Sequence, residues 1–157
     1  MVNKNLIGRC GLYCGICALY RAYKDSKELQ GKLAEEYGCL PEEVRCEGCQ
    51  ALDTYPWTYE KQWGSNCKIV ECLNAKKLTF CFECAVYDTC QKHAELTESC
   101  SGLGMDLRAS LRMIHEGKSE QWLLEQDKRW RCPKCGNPII VSYESKDCHW
   151  CGNKLRE

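Results

Sequence analysis

A small, mainly α-helical domain stapled by metal, with a β-hairpin unit at its C-terminal end, is the fold class that the sequence predicts, and three observations predict it. Sixteen cysteines in 157 residues fall into short, ordered spacings. Apolar residues recur at helical intervals through most of the chain, and strand-like patterning begins only after Trp130. The apolar complement is small: Leu, Ile, Val and Phe together number 29, a level at which burial alone struggles to offset the entropy of ordering the chain. Structural zinc can supply the difference, with apparent binding free energies of about 10–16 kcal/mol in finger peptides.

A chain with this share of cysteine is either a disulfide scaffold or a metalloprotein. The stretch MVNKNLIGRCGLYCG lacks the apolar core of a secretory signal, and no run approaches the ~18 apolar residues of a membrane span. The expectation is a cytoplasmic protein, off the membrane, whose thiols stay reduced and take metal. Lys plus Arg equals Asp plus Glu at 22 each, so no basic excess draws nucleic acid. Each zinc held by four thiolates adds a net charge of about −2 and moves the folded protein further from that role.

The cysteines group in order along the chain. CGLYCGIC sets Cys10, Cys14 and Cys17 at C-x3-C-x2-C. Cys46 and Cys49 follow as C-x2-C, then Cys67 and Cys72 as C-x4-C, then Cys81, Cys84 and Cys90 as C-x2-C-x5-C. Cys39 and Cys100 stand outside these spacings and are expected to bind no metal and to react first with an alkylating reagent. The opening trio has the spacing of a radical S-adenosylmethionine enzyme, but a polar helix and further cysteines follow where that fold needs a strand and a long partial barrel. The trio therefore reads as part of a metal-stapled domain.

Between the first groups, DSKELQGKLAEEYG places Leu29, Leu33, Ala34 and Tyr37 on one helical face, with Ser26 as N-cap and Gly38 as stop. A second short helix is expected from Pro41, with Glu42 and Glu43 in its first turn. MDLRASLRMIHEG aligns Leu107, Leu111 and Ile114 and stops at Gly117; SEQWLLEQDKRW then starts from Ser119 and carries Trp122, Leu123 and Gln126. After Trp130, PIIVSY reads as one arm of a hairpin around ESKD. The predicted organisation is a cysteine-rich metal-binding domain over residues 1–118, a connecting helix over 119–128 and a hairpin unit over 129–157.

The hairpin unit carries the strongest motif. Cys132 and Cys135, then Cys148 and Cys151, form two C-x2-C knuckles twelve residues apart, each followed by a glycine, Gly136 or Gly152. Two thiolates from one tight turn take two corners of a tetrahedron, and glycine lets backbone N–H groups turn toward sulfur. The unit reads as a zinc ribbon, with an iron-bearing rubredoxin-like site as the competitor on the same ligands. His149, inside the second knuckle, reads as an exposed turn residue. Arg129, Trp130, Arg131 and Lys134 are the one local basic and aromatic cluster, a weak footprint for nucleic acid.

In order and type, CGLYCGICALY, CEGCQ, CKIVEC and CFECAVYDTC resemble the motifs of a prokaryotic cysteine-rich family, the domain of unknown function 3795. The resemblance spans about residues 8–117, and it implies a small cysteine-rich domain without an established activity, followed in many members by a short ribbon after a Trp-rich helix. It also implies an apolar residue where His93 stands, so His93 reads as a histidine on a helix surface. The stretch ALDTYPWTYEKQWGSN is longer than the family suggests; its Tyr55, Trp57, Tyr59 and Trp63 read as a flap over metal-bound thiolates or as a partner-binding lid.

Ten ordered cysteines in the N-terminal unit suit two four-thiolate sites with two left over, or one cluster and one zinc. Cys46 with Cys49, and Cys81 with Cys84, are expected to share a metal pairwise; the grouping of the others stays open. No His, carboxylate or Ser set converges with the thiols, so no catalytic residue is assigned. The reading is a zinc-binding structural or protein-interaction module holding about three zinc ions. The alternative is an iron–sulfur electron-transfer or redox protein with one [4Fe–4S] cluster in the N-terminal domain. A protein partner is expected through the ribbon or through the aromatic loop 51–66.

Overall fold

The computed structural model of the protein describes residues 2–56 and 67–157. Among these, α1 (Ala18–Asp25) and α2 (Lys27–Tyr37) lie in the first half, followed by α3 (Lys68–Lys76), α4 (Gln91–Ser101), α5 (Leu107–His115) and α6 (Ser119–Arg129). Single 3-10 turns, among them Cys14–Ile16, Cys49–Ala51 and Cys81–Glu83, punctuate the cysteine groups. No helix among the described residues is long and apolar enough to cross a membrane.

The caps of α2 are those predicted. Ser26 Oγ accepts from the Leu29 N–H at 3.2 Å, and Gly38 ends the helix in the left-handed region at φ 66°. Pro41–Glu43 forms only one 3-10 turn, whose start is held by the Glu43 carboxylate accepting from the Leu40 N–H at 2.7 Å. Helix α5 is capped by Asp106, whose carboxylate accepts from the Ala109 N–H at 2.9 Å, and it buries Leu107, Leu111 and Ile114. Helix α6 begins at Ser119, so Lys118 occupies the cap position expected of Ser119. Its buried face is Trp122 and Leu123, and its end is favourably charged with Lys128 and Arg129.

The principal core joins α5 and α6 to the N-terminal segment through Ile7, Ile16, Leu107, Leu111 and Trp122, with Tyr13 set edge-on to Trp122 at 6.0 Å between ring centroids. A second cluster of Leu19, Ala22, Ala34 and Val44 closes α1 against α2. The buried Gln30 amide donates to the Val44 carbonyl at 3.1 Å and fixes that closure.

The structure departs from the expected hairpin. The described residues contain no strand, and the C-terminal unit shows only the isolated bridges Arg131 with Pro138 and Asp147 with Lys154, one beside each knuckle. The residue that would lie mid-strand, Val141, donates its N–H to the Ile16 carbonyl at 3.1 Å, a partner in the N-terminal region. Further ties hold the unit to the helices. The Tyr143 hydroxyl donates to the Ser99 carbonyl at 2.5 Å, and Trp130 packs in both the principal core and the small cluster of Cys132, Ile139 and Cys148.

Candidate metal centres

The sulfurs of Cys132, Cys135, Cys148 and Cys151 all lie within 4.8 Å of one another, a set that can hold a metal ion. Cys132 to Cys151 and Cys135 to Cys148 are each 3.8 Å apart. Two matching knuckles build this set. In the first, the Cys132 N–H donates to the Asn137 carbonyl at 2.9 Å and the Gly136 N–H to the Cys132 carbonyl at 2.9 Å. In the second, Cys148 and Asn153, and Gly152 and Cys148, repeat the pattern at 2.8 Å each. Gly136 and Gly152 reach φ 72° and 70° to do so, a conformation that glycine adopts without strain. Backbone N–H groups of Cys135 and Lys134 hold the Cys132 thiol below its usual range, while burial pushes Cys148 up. Metal favours the thiolate at every position.

The N-terminal cysteines fall into two neighbourhoods. The first brings Cys10, Cys14 and Cys17 beside Cys46, Cys49 and Cys67, close enough that their charges repel one another. Burial first, and then Cys49, Cys10 and Cys46, raise the Cys14 thiol well above the ordinary range; burial and then Cys46 push Cys17 up to about 11. Gly48 at φ 90° brings the turn against the Asn5 carbonyl, and a Cβ there would sit 3.9 Å from Cys14 Sγ.

The second neighbourhood is Cys72, Cys81, Cys84 and Cys90, which line one cavity together with Ile69 and Lys76. Cys72 comes from the body of α3, Cys81 from the 3-10 turn, Cys84 from the end of that turn and Cys90 from the cap of α4. Burial first, and then Cys90, Cys72, Cys84 and Cys67, push the Cys81 thiol up to about 12, and Cys81 in turn helps raise Cys10, so the two neighbourhoods adjoin at Cys81. Cys84 moves the other way, lowered by the Val86 N–H and then by Lys76, whose ammonium is 3.1 Å from the sulfur. Cys17, Cys67 and Cys90 each occupy the N-cap position of a helix, α1, α3 and α4 respectively, where the dipole favours thiolate.

Arg9 ties the two neighbourhoods together. Its N–H donates to Cys49 Sγ at 3.2 Å, its carbonyl accepts from the Cys81 N–H at 3.1 Å, and its guanidinium reaches the Thr79 and Leu78 carbonyls at 2.9 and 2.5 Å. Sequence reasoning missed Arg9 and Lys76, since a single cation carries no spacing signal.

Four further readings are answered by the structure. Cys100, expected among the first thiols to react, is a core residue only 7% exposed, and burial raises its pKa. His93 is not on a surface: it is fully buried, with Nε2 2.9 Å from the Cys10 carbonyl and its ring edge-on to Tyr87. Burial lowers its pKa, and because the Cys10 carbonyl can only accept, Nε2 is the donor of that bond. His149 is likewise covered, its Nε2 3.0 Å from Asp25 Oδ2 across the contact between the C-terminal unit and α1. Both arginines of the basic cluster are engaged internally: Arg129 donates to the Gly104 carbonyl and stacks on Trp130, and Arg131 pairs with Asp127. Of the aromatic stretch, Tyr55 stacks under Arg45 at 4.3 Å, while Trp57, Tyr59 and Trp63 lie outside the described residues.

Neither a curated protein nor a solved structure matches the chain. Residues 6–95 match the family model described as protein of unknown function (DUF3795). The match takes in every cysteine of the two N-terminal neighbourhoods, ends inside α4 rather than near residue 117, and leaves α5, α6 and the C-terminal unit beyond it. With more than half of its length matched, including the four cysteine motifs in order, the chain belongs to the DUF3795 family.

Proposed function

We propose that this protein is a zinc-binding structural or protein-interaction module, and that Cys132, Cys135, Cys148 and Cys151 form its zinc ribbon. The observation that carries the reading is the pair of 3.8 Å sulfur separations. A zinc–sulfur bond of about 2.3 Å gives a tetrahedron edge of about 3.8 Å. Four thiolates close the coordination sphere and leave no position for a substrate or an activated water, which favours a structural role over a catalytic one. The interaction half of the reading rests on Tyr143 and Trp150, which the unit leaves 58% and 42% exposed.

The test is the metal content of the full chain and X-ray absorption at the zinc edge. One zinc with four sulfur ligands at about 2.3 Å supports the reading, and it should be lost in Cys135→Ser. Iron in that site, or zinc content unchanged in the variant, overturns it.

A further inference from the structure

We propose that Cys72, Cys81, Cys84 and Cys90 are the four ligands of a [4Fe–4S] cluster. This second centre does not depend on the zinc reading of the C-terminal unit, and it replaces the zinc expected for these cysteines from their spacing alone.

Shape and spacing separate the two kinds of site. Among the described residues, the C-terminal set is the one group of three or more candidate ligands whose atoms converge to within 4.8 Å. Cys72, Cys81, Cys84 and Cys90 instead line one cavity together. A single zinc draws its thiolates onto one tetrahedron. A cluster puts its own irons and sulfides between them, so its ligands stand wider apart around a space of this kind. The C-x8-C-x2-C-x5-C spacing of the four is compatible with it, since cluster ligation tolerates many spacings.

The walls suit the same occupant. Ile69 and Leu73 contribute apolar lining and Lys76 and Lys92 contribute cations, matching the net negative charge of four thiolates around a cluster core. The Lys76 ammonium, 3.1 Å from Cys84 Sγ, is the kind of donor to a ligating sulfur that sets a cluster's reduction potential. Tyr87 also lines the cavity, and its hydroxyl is buried without a hydrogen-bond partner among the described residues. A buried hydroxyl left this way is costly unless something in the site accepts from it. The sulfur-rich surface of a cluster is such an acceptor.

The experiment uses the full chain, purified without air and reconstituted with ferrous and ferric iron in equal amounts and sulfide. The expected product is brown and contains about four irons and four acid-labile sulfides per chain, beside the zinc of the C-terminal unit. Cys84→Ser and Cys90→Ser should each lose the iron and sulfide and keep that zinc; Cys135→Ser should do the reverse, so the two centres fail separately. Because a ligand variant can also disturb folding, Lys76→Gln supplies a second reading at an exposed position. It should retain the cluster and shift its reduction potential to a more negative value, through loss of a cation and a donor to sulfur. A colourless chain that takes up zinc but no iron or sulfide overturns the proposal. So does a cluster that survives Cys84→Ser and disappears in Cys14→Ser, or a potential unmoved in Lys76→Gln.

Discussion

The C-terminal unit takes its four sulfurs from one contiguous segment, residues 132–151, whereas the cavity between α3 and α4 takes its four from a helix body, a 3-10 turn, the end of that turn and a helix cap. In the first, backbone hydrogen bonds within each knuckle set the sulfur positions, and the four sulfurs close to within 4.8 Å of one another. In the second, packing sets them: Arg9, the core and the entry into α4 decide how far apart the thiols stand. Locally built sites are therefore tight and uniform. Sites assembled by tertiary structure take the shape that the surrounding core leaves.

The largest effect expected is at the local site. Cys135→Ser should lose the zinc proposed for the C-terminal unit and its ordered knuckles, with structural zinc worth about 10–16 kcal/mol in finger peptides, while helical circular dichroism stays nearly unchanged because α1–α6 all precede it. Loss of the helical signal would mean that the two regions fold as one cooperative unit. At the non-local sites, His93→Ala should cost about 2–4 kcal/mol, since it opens a cavity and leaves the buried Cys10 carbonyl without its donor. Urea unfolding of the metal-loaded chain measures it; a cost near zero would show that the first neighbourhood does not rely on this contact.

His93 also makes a pH prediction. Burial depresses its pKa in the folded chain, so the unfolded chain takes the proton first. Its contribution to stability is complete above the ordinary histidine value of about 6.5 and is lost as pH falls toward the depressed value. His93→Gln should flatten the pH dependence of unfolding in that window relative to the parent; parallel curves would contradict it.

Gly48→Ala should cost about 2 kcal/mol, because a Cβ there would press into the Asn5 carbonyl and φ 90° strains any side chain. The melting temperature of the helical signal should fall by about 2–4 °C per kcal/mol, with the C-terminal zinc retained. The smallest effect belongs to the contact between regions. Tyr143→Phe removes the bond to the Ser99 carbonyl and should lower stability by about 0.5–1.5 kcal/mol. A larger loss, with zinc released, would make the C-terminal unit dependent on its docking.

Legibility in the sequence followed the same division. The capping of α2 by Ser26 and Gly38, the buried faces of α5 and α6 and the convergence of the four C-terminal cysteines rest on neighbours within a few turns of chain, and these were readable. The expected hairpin is not formed because the apolar, β-branched run in PIIVSY says that a segment is extended without naming its partner; Val141 finds Ile16 instead of a return strand. His93 and Cys100 look like surface residues on a polar helix until α4 is packed, when both turn into the core.

By itself, then, the sequence determined the family motifs in their order, the caps of α2, and the four cysteines that converge in the C-terminal unit, all of which depend on interactions between residues close in the chain. Only the tertiary structure decided that Cys72 joins Cys81, Cys84 and Cys90 rather than Cys67, and that Lys76 and Tyr87 face the same cavity. The physical reason is that thiols at similar spacings are chemically interchangeable, and only the packing of α3 against the turn at Cys81 and the start of α4 selects which of them meet.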